Sequence, residues 1–370
     1  MDDVLTSMAV FWALMLLTYF LMQNGLSIFN DVAKSMGMFM LEKALGPGID
    51  LVEGRPGSAS KAWIMQGLLW LLAASTLTFE GLWMMHDPLA LHSLSAWGYS
   101  PTSGSLLYAG NYAVLYGGIG MLLIGAGLHI LPRLARTELA SEKNAALVSF
   151  LWTISVLVLV IGAHDSEVLG INIIFVGTVM HVVAFLAIIT NQLLTVSKRQ
   201  GALAIPGWLI IFGLLADPVA TAAIFISGSV ETGVGQWLLG HMVGGTFFFA
   251  SAAGIALYAS SSASGNPLWS RSLAAAVLVG SIATINPMGD IDGRMAADML
   301  GLNFGGLIVT SEDNLVAAFL MALATIPIMA LAANVLITLR GGDAFVENAD
   351  SAGTAELNLG ASMQIGRAHV

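Results

Sequence analysis

Nearly all the positive charge in this chain falls in every second break between its apolar segments. Lys34, Lys43, Arg55 and Lys61 lie in the first break, Arg133, Arg136 and Lys143 in the third, Lys198 and Arg199 in the fifth, Arg271 in the seventh, and Arg340 follows the last segment. The intervening breaks hold acidic residues and a single arginine, Arg294. A chain threaded back and forth through a bilayer shows this alternation, because Lys and Arg near the ends of membrane helices are kept on the inner side. The pattern predicts an outside N-terminus and a last segment that ends inside.

Composition agrees with a lipid solvent. Residues are 57% hydrophobic and only 10% charged, with a mean hydropathy of +0.83, where a soluble domain carries about 25% charged residues. The net charge of -10 comes from acids in the tails and outer loops, which argues against nucleic acid as a partner. No cysteine is present, so disulfides, thiolate metal sites, iron–sulfur clusters and cysteine nucleophiles are excluded. Any metal would need His, Met or carboxylate ligands.

A spanning helix needs about 20 apolar residues. The expected fold is therefore an all-α, polytopic transmembrane helical bundle of about nine spans. They run near Leu5–Leu21, Ala62–Met85, Leu106–Leu131, Ala145–Ala163, Val168–Val196, Leu203–Ile226, Gly235–Ala259, Leu273–Ile285 and Leu315–Leu339. The first follows Asp2-Asp3 rather than a basic stretch and reads as a true span, not a signal peptide. Asn24–Ser60 is amphipathic and broken by Gly and Pro, as suits the inner interface. Residues 1–61 thus form an N-terminal helix with an inner-face linker, 62–340 the main bundle, and 341–364 a polar tail or a loop to further segments. Residues 365–370 read as the translation of a sequencing adapter, so the natural sequence is expected to be recorded only to about Gln364.

Ionisable groups inside membrane segments are costly and are functional candidates by default. Four stand out: Glu80 in the second segment, His181 in the fifth, Asp217 before Pro218 in the sixth, and His241 in the seventh. Glu80, Asp217 and His181 could relay protons. The plainer alternatives stay open, with His181 and His129 as packed, hydrogen-bonded histidines. Asp217 could bond backbone freed by the proline, and Glu80 could be hydrated near the interface. His86, His92 and His164 fall on the expected outer side with Asp87 and Asp165, a mix that suits a metal site. No phosphate loop, nucleotide fingerprint or hydrolase triad is present.

Three stretches carry a family resemblance. One runs from Gly104 to Gly117 and on to Leu131-Pro132-Arg133. The next, Arg136 to Trp152, contains Arg-x-x-Leu-x-Ser. The third is Gln236-Trp237-Leu238-Leu239-Gly240-His241 through Tyr258, followed by Pro267-Leu268-Trp269-Ser270-Arg271. From Ala62 to Arg340 the chain resembles the catalytic subunit of heme-copper oxidases (cytochrome c oxidase subunit I-like), nearest the branch of oxidases with three-heme partners and nitric-oxide reductases.

The resemblance implies heme and copper cofactors, respiratory electron transfer with oxygen or nitric-oxide reduction, and partners among other respiratory-complex subunits. It also implies a place in a prokaryotic cytoplasmic membrane. His241 falls on the family's copper-ligating histidine. Gly110 occupies the position of the low-spin heme ligand, and Ile285-Asn286-Pro287-Met288-Gly289-Asp290 stands where an adjacent histidine pair would. The family's remaining heme histidines would lie beyond the recorded end. The leading expectation is accordingly a divergent homologue without the standard centre. A working terminal oxidase or reductase with relocated ligands is the second reading, and a proton-coupled transporter using Asp217 and His181 the third.

Overall fold

The computed structural model describes residues 3–24, 53–227, 241–283 and 311–340. Among these, every apolar segment is helical. The helices are α1 (Asp3–Asn24), α2 (Ser58–His86), α3 (Ser103–Tyr112), α4 (Met121–Ala135), α5 (Glu142–His164), α6 (Ile173–Ser197), α7 (Ile205–Ser227), α8 (Ser251–Ser264), α9 (Arg271–Ala283) and α10 (Ser311–Thr338). A π-helical segment, Ala113–Gly120, joins α3 to α4, and a second, His241–Ala250, leads into α8. Each contains a Gly-Gly pair, Gly117-Gly118 and Gly244-Gly245.

Six helical rods among the described residues are long and apolar enough to cross a membrane: Ser58–His86, Ser103–Ala135, Glu142–His164, Ile173–Ser197, Ile205–Ala223 and Met242–Ser264. Shorter apolar stretches lie at Thr6–Thr18, Arg271–Ile282 and Ala322–Thr338. A 23-residue helix such as α5 is about 35 Å long at 1.5 Å per residue, enough for the hydrocarbon core. Large apolar side chains also face outward, among them Leu69, Leu72 and Leu82 on α2 and Leu147, Ile154 and Ile161 on α5. Helices that are apolar inside and outside belong in lipid. The protein is an integral membrane protein of helical construction in contact with the bilayer.

One boundary differs from expectation. The fifth segment starts at Ile173, not Val168, because Glu167–Val168 and Ile171–Asn172 pair as a small antiparallel hairpin. Its two turn residues, Leu169 and Gly170, have φ of 54° and 77°, the positive values of a type I′ turn. Asn172 then caps α6 by accepting from the Phe175 N–H at 2.9 Å.

The chain divides into two compact units. The first comprises the described residues of Met1–Met121 and Ser141–His181; the second those of Leu122–Ala140 and Val182–Val370. In the first, α2 and α5 are tied by a ladder of hydrogen bonds. Glu142 accepts from the Gly57 and Ala59 N–H groups at 2.7 and 2.9 Å. The Trp63 indole donates to the Ala145 carbonyl at 2.8 Å, and Gln66 Nε2 donates to Ser149 Oγ at 2.6 Å. Thr153 Oγ1 donates to Gln66 Oε1 at 2.7 Å and accepts from the Trp70 indole at 3.4 Å. The rungs climb both helices by three or four residues at a time, so α2 and α5 run parallel. Parallel direction is what two crossings of the bilayer demand of the second and fourth segments.

The rod from α3 through the first π segment returns between them through a glycine seam. A Cβ on Gly117 would lie 2.5 Å from Trp70 Cγ, one on Gly110 2.5 Å from Thr78 Oγ1, and one on Gly81 3.0 Å from Leu107 Cγ. Residue numbers rise on one helix as they fall on the other, so the two are antiparallel. Near the start of α1, Met8 packs with Ala90, Leu91 and Leu106, with Trp12 beside them. The N-terminal end of α1 therefore lies at the same end of this unit as the loop after α2.

In the second unit Leu209, Ala253, Leu257, Val277 and Val335 form the core. Asn334, fully buried, accepts from the Ser270 N–H at 3.2 Å and donates to the Ser270 carbonyl at 2.8 Å. Thr338 Oγ1 accepts from the Trp269 N–H at 3.1 Å, and the Thr338 carbonyl accepts from Asn266 Nδ2 at 2.9 Å. The turn between α8 and α9 is thus fastened to the end of α10.

Glu142 supplies two charge-assisted acceptors to the first turn of α2, where orphan N–H groups and the helix dipole both favour a carboxylate. Glu142→Ala is expected to lower stability by about 1–2 kcal/mol, read as a fall in the thermal unfolding midpoint of the detergent-solubilised protein followed by tryptophan fluorescence.

Candidate functional site

His181 sits in the first half of α6 and is 5% exposed. Its ring lies edge-on to Tyr116 at 4.5 Å between centroids and against Trp152 at 4.1 Å. Its Nδ1 is 3.1 Å from Ser155 Oγ. The Ser155 hydroxyl proton is already directed to the Trp152 carbonyl at 2.7 Å, so Nδ1 carries the ring proton toward Ser155 and Nε2 is the lone-pair nitrogen. Trp152 in turn donates its indole N–H to the Tyr116 carbonyl at 2.9 Å. That carbonyl belongs to the first π segment, where the i→i+5 register differs from the flanking α-helix. Tyr112 stacks on Tyr116 at 6.4 Å. Sequence reasoning isolated His181; it missed Ser155, Trp152 and Tyr116, whose spacing on two other helices carries no signal without the helix register.

A second cluster forms where α2, α3 and α5 approach the 87–104 loop. Thr102 and Ser105 build a capping box: the Ser105 N–H donates to Thr102 Oγ1 at 3.1 Å and the Thr102 N–H to Ser105 Oγ at 3.0 Å. His164 Nδ1 lies 3.2 Å from the same Ser105 Oγ, whose proton goes to the Thr102 carbonyl at 2.9 Å. The Tyr99 ring meets His164 edge-on at 5.8 Å. Burial first, and then the nearby carboxylate of Glu80, push the Tyr99 phenol above its ordinary range. Glu80, which is half-buried, and Tyr99 are thus brought together with His164 and Ser105. The outer metal set expected from His86, His92, His164, Asp87 and Asp165 does not assemble: among the described residues no three His, Asp or Glu side chains come close enough to hold a metal ion. His164 is turned to Ser105 and Tyr99, and Asp87 bonds the Leu89 N–H at 3.1 Å.

Asp217 is 5% exposed in α7 and accepts from Thr221 Oγ1 at 3.1 Å, one helical turn on. It lies in the second unit, whereas Glu80 and His181 lie in the first. The three proton-path candidates therefore do not form one cluster within a unit. Gln192 in α6 was not singled out by sequence. It is 1% exposed, packs over Gly127, and neither of its amide atoms meets a hydrogen-bond partner among the described residues.

The family ligands implied by the resemblance can be tested on this geometry. Gly110 is fully enclosed against α2: a Cβ there would lie 2.5 Å from Thr78 Oγ1 and 3.3 Å from the Thr78 main-chain nitrogen. Backbone cannot move aside as a flexible side chain can, so the position offers neither an axial nitrogen nor room for one, and it does not fit a low-spin heme ligand. His241 opens the second π segment, and its side chain lies outside the described residues, as does all of Ile285–Asp290. One imidazole without the neighbouring pair is short of the nitrogen donors such a copper needs. The second π segment is instead held by Thr246 Oγ1, which donates to the Ser281 carbonyl of α9 at 3.1 Å.

No protein-family model matches the sequence, and no characterised protein is significantly similar to it.

His181 fills space between two large rings and uses one nitrogen for a hydroxyl. His181→Phe is expected to stay within about 1.5 kcal/mol of wild type, as volume-conserving swaps do, whereas His181→Ala should cost about 2–4 kcal/mol through the cavity it leaves. Equilibrium unfolding in detergent, read by Trp152 and its neighbours, separates the two. Equal losses would mean that the hydrogen bond to Ser155 outweighs packing.

Proposed function

We propose that this protein is a divergent, heme-copper-oxidase-like membrane subunit that has given up the family's low-spin heme and acts as a structural or assembly partner within a respiratory complex. The enclosed face of Gly110 against Thr78 is the observation that carries this reading: the position is packed as a helix–helix contact, not as a cofactor wall. In this reading all nine helical rods cross a prokaryotic cytoplasmic membrane, with the N-terminus outside and Arg340 inside. The parallel course of α2 and α5 and the placement of Met8 beside Ala90 and Leu91 support that threading.

A set of polar groups in the first unit is committed to neighbouring helices, as a scaffold requires. Trp63, Gln66, Trp70, Ser149 and Thr153 hold helices together, and His181 is sandwiched between rings rather than aimed at an open space. Heme, if bound by the purified chain, would supply electron transfer; the residues described here supply packing and orientation.

A second reading, a proton-coupled transporter, is favoured by one observation, the buried Asp217, whose partner among the described residues is the Thr221 hydroxyl, beside Pro218 within the same helix. A carboxyl in that setting can bind and release a proton as the local structure changes.

Two measurements divide these readings. The protein purified alone should show no Soret band and only substoichiometric heme by the pyridine haemochromogen assay, and Gly110→His should destabilise it without raising the heme content. A full equivalent of low-spin heme in the wild type would sink the scaffold reading. Reconstituted into proteoliposomes under a pH gradient, the protein should leave the gradient intact. A proton flux abolished by Asp217→Asn but unchanged by Glu80→Gln would install the transporter reading instead.

A further inference from the structure

We propose that the second unit carries a specific site for an anionic phospholipid at the end where its basic loops gather. A cavity of about 630 Å³ opens there, between the end of α4, the start of α7, the end of α8 and the turn into α9. That volume is in the range of ligand sites, about 300–1,000 Å³. Leu134, Leu203 and Pro206 supply an apolar wall, and Tyr258, Ser262 and Arg271 bring a phenol, a hydroxyl and a guanidinium to the same space.

The chemistry of this lining fits one class of ligand. Arg271 is exposed, and among the described residues no carboxylate forms an ion pair with it. A guanidinium presents a planar fork that matches two phosphate oxygens. Its neighbours reinforce the sign: Arg133, Arg136, Lys198, Arg199 and Arg340 lie on the terminal turns and loops of this end of the unit, where Glu138 is the one acid among the described residues. The loops are joined there, since the Gln200 N–H donates to the Ala135 carbonyl at 3.0 Å and the Ala140 N–H to Thr195 Oγ1 at 2.9 Å. The apolar wall selects a ligand with a hydrocarbon portion, and its depth agrees: the candidate spans Ser103–Ala135, Ile173–Ser197 and Met242–Ser264 end at this level and Ile205–Ala223 begins there. A phosphate on Arg271 with acyl carbons on Leu134 and Leu203 is the arrangement of a glycerophospholipid at a membrane interface.

The site is held in shape before any ligand arrives. Asn334 and Thr338 fasten the turn that carries Arg271 through four hydrogen bonds, and Ser261 Oγ donates to the Asn266 carbonyl at 2.6 Å across the same turn. A fixed wall lowers the ordering cost of binding. This assignment requires only that the protein lies in a bilayer, and it stands apart from the oxidase-like and transporter readings.

Native mass spectrometry of the full-length protein in a neutral detergent tests it, with dioleoyl phosphatidylglycerol, dioleoyl phosphatidylcholine, glycerol 1-phosphate and inorganic phosphate as probes. One phosphatidylglycerol should be retained in preference to phosphatidylcholine, and Arg271→Gln should weaken retention by about tenfold, the loss expected when a charged hydrogen-bonding fork is removed. Ala202→Glu, which adds a negative charge at the exposed rim without disturbing the core, should do the same, so the outcome does not hang on one variant. The paired change Lys198→Gln with Arg199→Gln should weaken retention less than Arg271→Gln. Equal retention of both lipids, or phosphatidylglycerol binding unaffected by Arg271→Gln and Ala202→Glu, would overturn the site. Displacement of the lipid by millimolar inorganic phosphate or glycerol 1-phosphate would overturn it as a lipid site and leave a simple anion site.

Discussion

In a lipid solvent the hydrophobic effect no longer drives helices together, because hydrocarbon outside a bundle is as apolar as leucine inside it. Close packing and interhelical hydrogen bonds must do that work. The ladder between α2 and α5 is where this chain concentrates them. It begins at the Glu142 carboxylate beneath the first turn of α2 and rises through Trp63, Gln66 and Trp70. Each rung uses a polar group that would otherwise be stranded in hydrocarbon. Trp63 and Trp152 meet edge to face at 5.3 Å beside it, an arrangement aromatic quadrupoles favour. The rest of the first unit depends on this alignment, since the glycine seam of α3 can close only against an α2 held at a set rotation.

That dependence explains why one stretch reads as a family motif and behaves as packing. Between Gly110 and Gly120, where the resemblance would expect a heme ligand, the glycine faces are filled by Thr78, Trp70 and Leu71. Glycine permits such approach because it has no Cβ to displace. The same run slackens into π-helix at Ala113–Gly120, and the carbonyl of Tyr116 is taken up by the Trp152 indole. Irregular backbone is tolerated at membrane depth only where protein satisfies it, so the π segment and the tryptophan form one feature. His181, wedged between Tyr116 and Trp152, completes it.

Much of the fold was legible in the sequence because membrane helices announce themselves by length and hydropathy. Among the described residues a helix falls within each expected segment, and six helical rods are long and apolar enough to span by themselves. The start of α6 was misplaced because Val168 and Ile171 are as apolar as the helix they precede, and only the positive φ of Leu169 and Gly170 diverts them into a hairpin. The site was less legible. Buried ionisable residues such as His181 and Asp217 stand out against an apolar background, but their partners are Ser155, Trp152 and Thr221, ordinary residues whose meaning lies in which helix faces which. The outer histidines looked like ligands because they are close in loop order; in space His164 turns to Ser105 and Tyr99. Arg271 was read as a marker of topology and as part of the Pro267–Arg271 stretch, not as a ligand group, since a cavity beside it has no sequence signature.

Unspent polarity occurs in both units. Ser58 Oγ and Trp83 Nε1 in the first, and the Gln192 amide and Ser251 Oγ in the second, are buried and meet no hydrogen-bond partner among the described residues. Asp217 accepts from Thr221 Oγ1, Gln192 buries its amide against Gly127, and Arg271, which is exposed, lines the cavity and pairs with no carboxylate among the described residues. Leaving a buried group such as the Gln192 amide unsatisfied costs on the order of 1–3 kcal/mol. Such costs fall in both units, so unsatisfied polarity does not mark one of them as the working half; the cavity at Arg271 is distinguished instead by its volume and its mixed apolar and cationic lining.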